Sequence, residues 1–330
     1  MKTKQLLGII VAGLVFVFVC VSSAITERFS TSFSESMNEI LQSSSTSYNL
    51  PKNDYVGVVR ISGTIQEDVS SNVFSQVEYD HQALLDYISE LEDSESNQAI
   101  LLVVDSPGGT VYASDEMYLK LMEYKQLTER PIYAYFESMA CSGGYYISMA
   151  ADEIYSNRNC TTGSIGVIMS MTNLKGLYDK LGIKEINITS GDNKAMGSAG
   201  EDLTDEQKDI LQAYIDETYD TFTQIVATGR GMEIDKVKEL ADGRIYTAKQ
   251  AEKNGLIDGI KQYSEMESYI YEKEGSHVEI FEPDLSGESI FNDLFAAVQL
   301  QKTKSDAQIL TEYLEHKGNG VAMYYANFGN

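Results

Sequence analysis

Ile100 to Val104 is an unbroken aliphatic run that ends in Asp105-Ser106-Pro107-Gly108-Gly109. Five consecutive apolar residues suit a strand covered on both faces, the situation of a parallel sheet held between helices. The flanking sequence fits that placement. Tyr55 to Val59 reads as a strand closed by Ser62-Gly63, and Leu84, Ile88 and Leu91 share one face of a helix. Val111, Ser114, Tyr118, Leu121 and Met122 mark the next helix, Pro131 to Phe136 a short buried strand, and Tyr145 to Ala151 a helix. Strand and helix keep alternating through Glu153 to Ser156, Leu174 to Leu181 and Lys184 to Ile188. The class is therefore α/β with a largely parallel sheet.

Thr204-Asp205-Glu206-Gln207 has the form of a capping box. It opens a long helix through Ile210, Tyr214, Phe222 and Val226 that Gly229 and Gly231 end. A further helix around Val237 to Leu240 leads to Ala241-Asp242-Gly243-Arg244-Ile245-Tyr246-Thr247, and Asn254-Gly255-Leu256 reads as a helix end before a short strand. From Asp284 the chain turns polar, with amphipathic stretches at Ile290 to Leu300 and Ala307 to Leu314. It closes on the apolar, aromatic Val321 to Phe328. That tail suits either an ordinary terminal strand or a peptide lodged in the groove of its own or a neighbouring subunit.

At the other end, Leu6 to Ile25 is long enough at about 1.5 Å per residue to cross a bilayer core of roughly 30 Å. Lys2 and Lys4 precede it and no acidic residue occurs before Glu27, so the basic flank stays in the cytoplasm and the remainder is exported. The competing reading is a signal peptide cleaved after Ser22-Ser23-Ala24. Four segments result: 1–25, the cytoplasmic end and anchor; 26–53, a Ser/Thr-rich spacer; 54–283, the folded domain; and 284–330, a C-terminal extension. A net charge of -25 argues against nucleic acid as a partner, since phosphate neutralisation needs clustered Lys and Arg. Cys20, Cys141 and Cys160 form neither a disulfide framework nor a metal-ligand pattern.

The chemistry centres on Ser138-Met139-Ala140-Cys141-Ser142-Gly143-Gly144-Tyr145-Tyr146. A serine between a strand and a helix lies beside the free N–H groups of the first helical turn, where it serves as an N-cap or, with a base, as a nucleophile. His81, His277 and His316 all read as surface residues, so a Ser-His-Asp triad has little support. A lysine amine serves as base when burial among apolar groups holds it uncharged. The candidate is Lys194, in a loop of small residues running from Ser190 to Ser198. Gly108-Gly109, at the end of a buried strand, can turn backbone N–H groups toward a substrate carbonyl, or form a plain turn.

Five ordered motifs together resemble the bacterial signal peptide peptidase family: Asp105 to Gly109, Ser138 to Tyr146, Thr162-Gly-Ser-Ile-Gly-Val167, the Lys194 loop, and Ala241 to Thr247. They span residues 55 to 260. The resemblance implies a Clp/crotonase-type fold of repeated β-β-α units and a Ser-Lys dyad: Ser142 as nucleophile, Lys194 as base, Ser164 orienting the lysine, and Gly109 and Gly143 N–H groups as the oxyanion hole. One departure is Cys141, where the family usually has a small residue such as alanine; it reads as a small buried residue. The resemblance also implies a ring-like homo-oligomer and no metal or organic cofactor.

The expected activity is that of a membrane-anchored endopeptidase, its catalytic domain outside the cell membrane, cutting hydrophobic peptides such as signal-peptide remnants. Two alternatives stand beside it. One is a non-catalytic membrane scaffold of protease fold that binds peptides; the other is a crotonase-like enzyme acting on acyl-thioesters.

Overall fold

The computed structural model describes residues 48–67, 79–283 and 322–325. The chain divides into Met1–Asn49 and Leu50–Asn330, and every element below belongs to the second unit. The expected membrane anchor and the amphipathic stretches at 290–300 and 307–314 lie outside the described residues. Among the described residues, no helix is long and apolar enough to cross a membrane.

In chain order the first elements are β1 (Tyr55–Ser62), α1 (His81–Asp93), β2 (Asn97–Ser106), β3 (Gly108–Thr110), α2 (Val111–Thr128), β4 (Ile132–Cys141) and α3 (Gly143–Ile147), the last followed by one 3-10 turn. Next come β5 (Glu153–Ser156), β6 (Thr161–Gly163), β7 (Ile168–Met169), α4 (Lys175–Leu181) and α5 (Asp205–Arg230). The remainder is α6 (Ile234–Leu240), β8 (Ile245–Thr247), α7 (Ala248–Lys253), β9 (Gly259–Ile260), α8 (Tyr263–Glu274), β10 (Glu279–Phe281) and β11 (Ala322–Tyr325).

The main sheet runs β10-β1-β2-β4-β5-β9, every neighbouring pair parallel. Ile100 to Val104 are fully buried at its centre, as the aliphatic run requires. Successive side chains point to opposite faces. On one face Val56, Val58, Leu101, Val103 and Tyr135 pack with Met266 and Ile270 of α8; on the other, Tyr87 and Leu91 of α1 lie against Gly57 so closely that a methyl there would collide with the leucine.

The carboxyl ends of β2 and β4 form the functional end. After Phe136, β4 leaves β5, and Met139 to Cys141 pair with β6 instead, while a bulge between Val104 and Ser106 lets β2 follow. Asp105 pins this bend by accepting from the Ser138 hydroxyl and, at 3.0 Å, from the Met139 N–H. Beyond the bulge, β3 leaves the main sheet and joins a second, antiparallel one of order β3-β11-β7.

Most predicted elements are present, and the Thr204 capping box forms as read. Three expectations need correction. Lys184 to Ile188 is not a strand: it has no ladder partner among the described residues, and Ile186 and Ile188 are 79% and 97% exposed. The buried face of α2 is Ala113, Ser114, Met117, Leu121 and Tyr124, because the helix packs rotated from the apolar stripe that the sequence suggests. His81 is no surface residue. It is buried, with Nδ1 2.5 Å from the Tyr79 hydroxyl and Nε2 2.9 Å from Glu116. His277 is exposed, and His316 lies outside the described residues.

Candidate active site

Ser142 caps the end of β4 with φ 52° and ψ -112°, a left-handed conformation that costs a residue with a Cβ about 1–3 kcal/mol. An ordinary N-cap serine has extended backbone and accepts an N–H from the helix it opens. Ser142 does neither. Its side chain makes no capping bond to α3, and its Oγ, 1% exposed at residue level, has no hydrogen-bond partner among the described residues. A buried, strained serine with a free hydroxyl is poised for chemistry rather than for capping.

The two glycine segments converge on it. A Cβ built on Gly143 would lie 3.0 Å from the Gly109 nitrogen, and one built on Gly108 would lie 2.7 Å from the Gly143 nitrogen. The backbones carrying both predicted oxyanion donors are thus packed together, and only glycine permits that approach. Gly109 is wedged from the other side as well: Ile65 pairs with it, its N–H donating to the Gly108 carbonyl at 2.9 Å and its carbonyl accepting from Thr110 at 2.8 Å.

The free edge of β3 carries a peptide strand, β11 from the tail. Met323, Tyr324 and Tyr325 pair antiparallel with Thr110, Gly109 and Gly108, while Ala322 and Met323 pair with Met169 and Ile168 of β7. The Tyr324 carbonyl oxygen lies 2.0 Å from the same Gly108 Cβ position that faces the Gly143 nitrogen. A peptide carbonyl and the Gly143 nitrogen therefore both border the space beside Gly108.

Ser164 follows β6 with φ 50°, its N–H donating to the Arg244 carbonyl at 2.8 Å. It lines a cleft of about 560 Å³ together with Val167, Ile168, Ile215 and Tyr219. Lys194 is not joined to Ser142 by a hydrogen bond. It is exposed, in a turn-rich segment where its own N–H donates to the Gly191 carbonyl at 3.1 Å. The structure thus assembles Ser142, Gly143 and Gly109, ties Ser164 to them through β6, and gives Lys194 no hydrogen bond to Ser142. Cys141 is buried, and that burial pushes its thiol up to about 12, so it stays protonated and a poor nucleophile.

Residues 125–275 match peptidase family S49, and residues 58–183 match the Clp protease family. A protein of Enterococcus faecium named for signal peptide peptidase SppA is 42% identical over 205 residues, 62% of this chain and 59% of its own length. The chloroplastic serine protease SPPA of Arabidopsis thaliana is 32% identical over 63% of this chain and 30% of its own. Protease 4 of Haemophilus influenzae is 28% identical over 86% of this chain and 48% of its own. Over residues 125–275, just under half of its length, the chain is similar to peptidase family S49. It spans less than two thirds of the length of these relatives.

Several residues that shape the site were not joined to it by the sequence. Tyr146 and Phe222 enclose the Tyr324 ring, and Asp115 holds Tyr146 through its hydroxyl at 2.5 Å. Tyr146 stood in a quoted motif and Phe222 on a helical stripe, but nothing in their spacing joins residues 76 positions apart. Among the described residues no cluster of three or more His, Cys, Asp or Glu could hold a metal ion.

Proposed function

We propose that this chain is a serine endopeptidase of the Ser-Lys type that cuts extended, hydrophobic peptides, signal-peptide remnants among them, at the outer face of the membrane to which residues 6–25 anchor it. One observation carries the reading: a peptide strand lies on the Gly108–Thr110 edge with a carbonyl beside the glycine backbone, next to a strained serine whose hydroxyl has no partner among the described residues. Strand addition supplies affinity through main-chain hydrogen bonds, which suits substrates of varied sequence.

In the proposed reaction Ser142 Oγ bonds to the substrate carbonyl carbon while its proton passes to the Lys194 amine. The Gly109 and Gly143 N–H groups take the oxyanion charge. Collapse breaks the C–N bond as Lys194 returns the proton to the leaving amine, and water then hydrolyses the acyl-enzyme with Lys194 again as base.

Lys194 must be brought to Ser142, and an assembly of several copies accounts for how. The segment that carries it exposes Leu177, Leu181, Ile183, Ile186 and Ile188, an apolar surface of the kind that marks an interface. A ring-like homo-oligomer would cover it and bring a neighbour's Lys194 to the cleft at Ser164.

The test uses the full chain in detergent or vesicles. Ser142→Ala and Lys194→Ala should each abolish peptide cleavage, and mixing the two inactive variants should restore part of it if the lysine comes from a neighbouring copy. Labelling of Ser142 by a fluorophosphonate should accompany activity. Absence of both labelling and cleavage in the wild-type chain would sink the protease reading in favour of a peptide-binding scaffold, and acyl-CoA binding would favour the thioester alternative.

A further inference from the structure

Ser114 of α2 is fully buried, and its hydroxyl has no hydrogen-bond partner among the described residues. A serine or threonine inside a helix commonly turns its hydroxyl back to the carbonyl four residues earlier. Ser89, Thr128, Thr218, Thr228 and Ser268 all do so, at 2.7–3.1 Å. Ser114 forgoes that bond to Thr110 and faces the turn after the nucleophile instead. A Cβ built on Gly143 would collide with the Ser114 Oγ, while the Gly109 nitrogen lies 3.0 Å and the Gly108 Cα 3.2 Å from the same point. Of these three neighbours, Ser114 alone contributes a side chain. An oxygen from α2 therefore rests against the residue that follows Ser142, on the side where the two glycine backbones come together.

Building on the endopeptidase reading, we propose that Ser114 is a positioning residue for the reaction: its hydroxyl oxygen bears on the Gly143 Cα and sets where the Gly143 N–H stands relative to that of Gly109. A buried hydroxyl without a partner lowers stability, and the helix offers Ser114 a bond that it does not take. Its rotamer is accounted for by the contact it makes. Donors to a developing oxyanion act through preorganisation, so a shift of one of them weakens transition-state stabilisation even when both N–H groups are still present. The strand pairing that would hold a substrate runs through Gly108 to Thr110 and does not include Ser114. Ser114 accordingly acts on kcat and leaves peptide binding alone.

The test compares the full chain in detergent with its Ser114→Ala, Gly143→Ala and doubly substituted variants, by steady-state cleavage of a hydrophobic fluorogenic peptide and by thermal unfolding. Ser114→Ala should lower kcat by roughly 10-fold, short of the roughly 10²- to 10³-fold for removing a donor outright, with KM within about twofold of wild type. Its Tm should equal or exceed that of the wild type, because the lost hydroxyl had no partner. Gly143→Ala drives a methyl into the Ser114 oxygen and should lower both Tm and kcat. Removing that oxygen as well leaves the methyl with backbone neighbours at 3.0 and 3.2 Å. The double variant should therefore melt at least about 2 °C above Gly143→Ala and cleave faster than it. An unchanged kcat in Ser114→Ala, or a loss that only tracks a lowered Tm, overturns the proposal while leaving the protease reading intact. If the wild type cuts no peptide, the protease reading fails, and the melting temperatures decide whether Ser114 sets the place of Gly143. Rescue in the double variant supports the contact, and additive losses overturn it.

Discussion

The Ser142 N–H donates to the Gly163 carbonyl at 2.8 Å. This bond joins the carboxyl ends of β4 and β6 at the point where each strand gives way to a serine of positive φ, Ser142 on one and Ser164 on the other. Neither serine would hold such a conformation alone. The pairing of Cys141 with Gly163, and the Ser164 N–H bond to the Arg244 carbonyl, supply the surrounding constraint.

Stored strain at Ser142 predicts opposite signs for stability and activity. Ser142→Gly removes the Cβ from a backbone conformation that only glycine adopts freely, while its more flexible unfolded chain takes back part of the gain. The net expectation is a stabilisation of about 1 kcal/mol, or a Tm higher by about 2–4 °C for a domain of this size, with cleavage abolished. Thermal unfolding beside a peptide assay checks both. A Tm equal to or below the wild type would show that no strain resides there.

Much of this arrangement was legible in the sequence because it is local. The Ile100 to Val104 run, the glycine pair that ends it and the Thr204 capping box each depend on neighbours within a few residues, and each appears as read. Ser142 was ambiguous between cap and nucleophile, since only its dihedral angles and unbonded Oγ tell the two apart. Lys184 to Ile188 failed for a physical reason: its alternating isoleucines fit a strand, but a strand needs a ladder partner and the described residues offer none. His81 and the aromatic pocket were illegible because their partners are distant, Glu116 lying 35 residues from His81 and Phe222 76 from Tyr146.

Gly109→Ala probes the oxyanion edge. The added methyl would fall 1.6 Å from the Ile65 carbonyl oxygen, a backbone atom held by its own bond to Thr110, so no side-chain rotation relieves the clash. Either β3 shifts away from Ile65 or the pairing breaks. Loss of about 3 kcal/mol of stability is expected, together with loss of cleavage. Urea unfolding measures the first, and a stable, active variant would show that β3 does not sit where peptide carbonyls are read.

The tail should compete with substrate. Since β11 occupies the edge of β3 and buries Tyr324, a chain ending at Gly320 should show a KM for short peptides lower by about fivefold or more, with little change in kcat, the pattern for removal of a tethered competitor. Tyr324→Ala in the full chain should move KM in the same direction, because the strand then lacks its anchoring ring. Steady-state kinetics on the three proteins checks this. Identical KM values would mean that β11 leaves the groove too readily to matter.

The helix that carries Phe222 ends in an ion pair, and that pair gives the fold a pH dependence. Arg230, at the end of α5, donates to both Asp258 oxygens, and Asp258 also accepts the Ile154 N–H of β5 at 2.7 Å. Burial alone would raise the Asp258 carboxyl, but the guanidinium and the N–H outweigh it and hold the group below its ordinary value. A carboxylate depressed on folding stabilises the native state above its unfolded pKa of about 3.9 and loses that contribution as pH falls through its lower folded value. Asp258→Ala leaves Arg230 buried without its partner and should cost roughly 2 kcal/mol at pH 7, a low figure for a buried pair because the aspartate side chain is 35% exposed. Urea unfolding of wild type and variant between pH 7 and pH 3 should show this difference shrinking toward the acid end. The narrowing comes from the wild type losing stability while the variant, lacking the carboxyl, does not lose that term. A gap that stays constant across the range would mean that Asp258 contributes through packing and not through its charge.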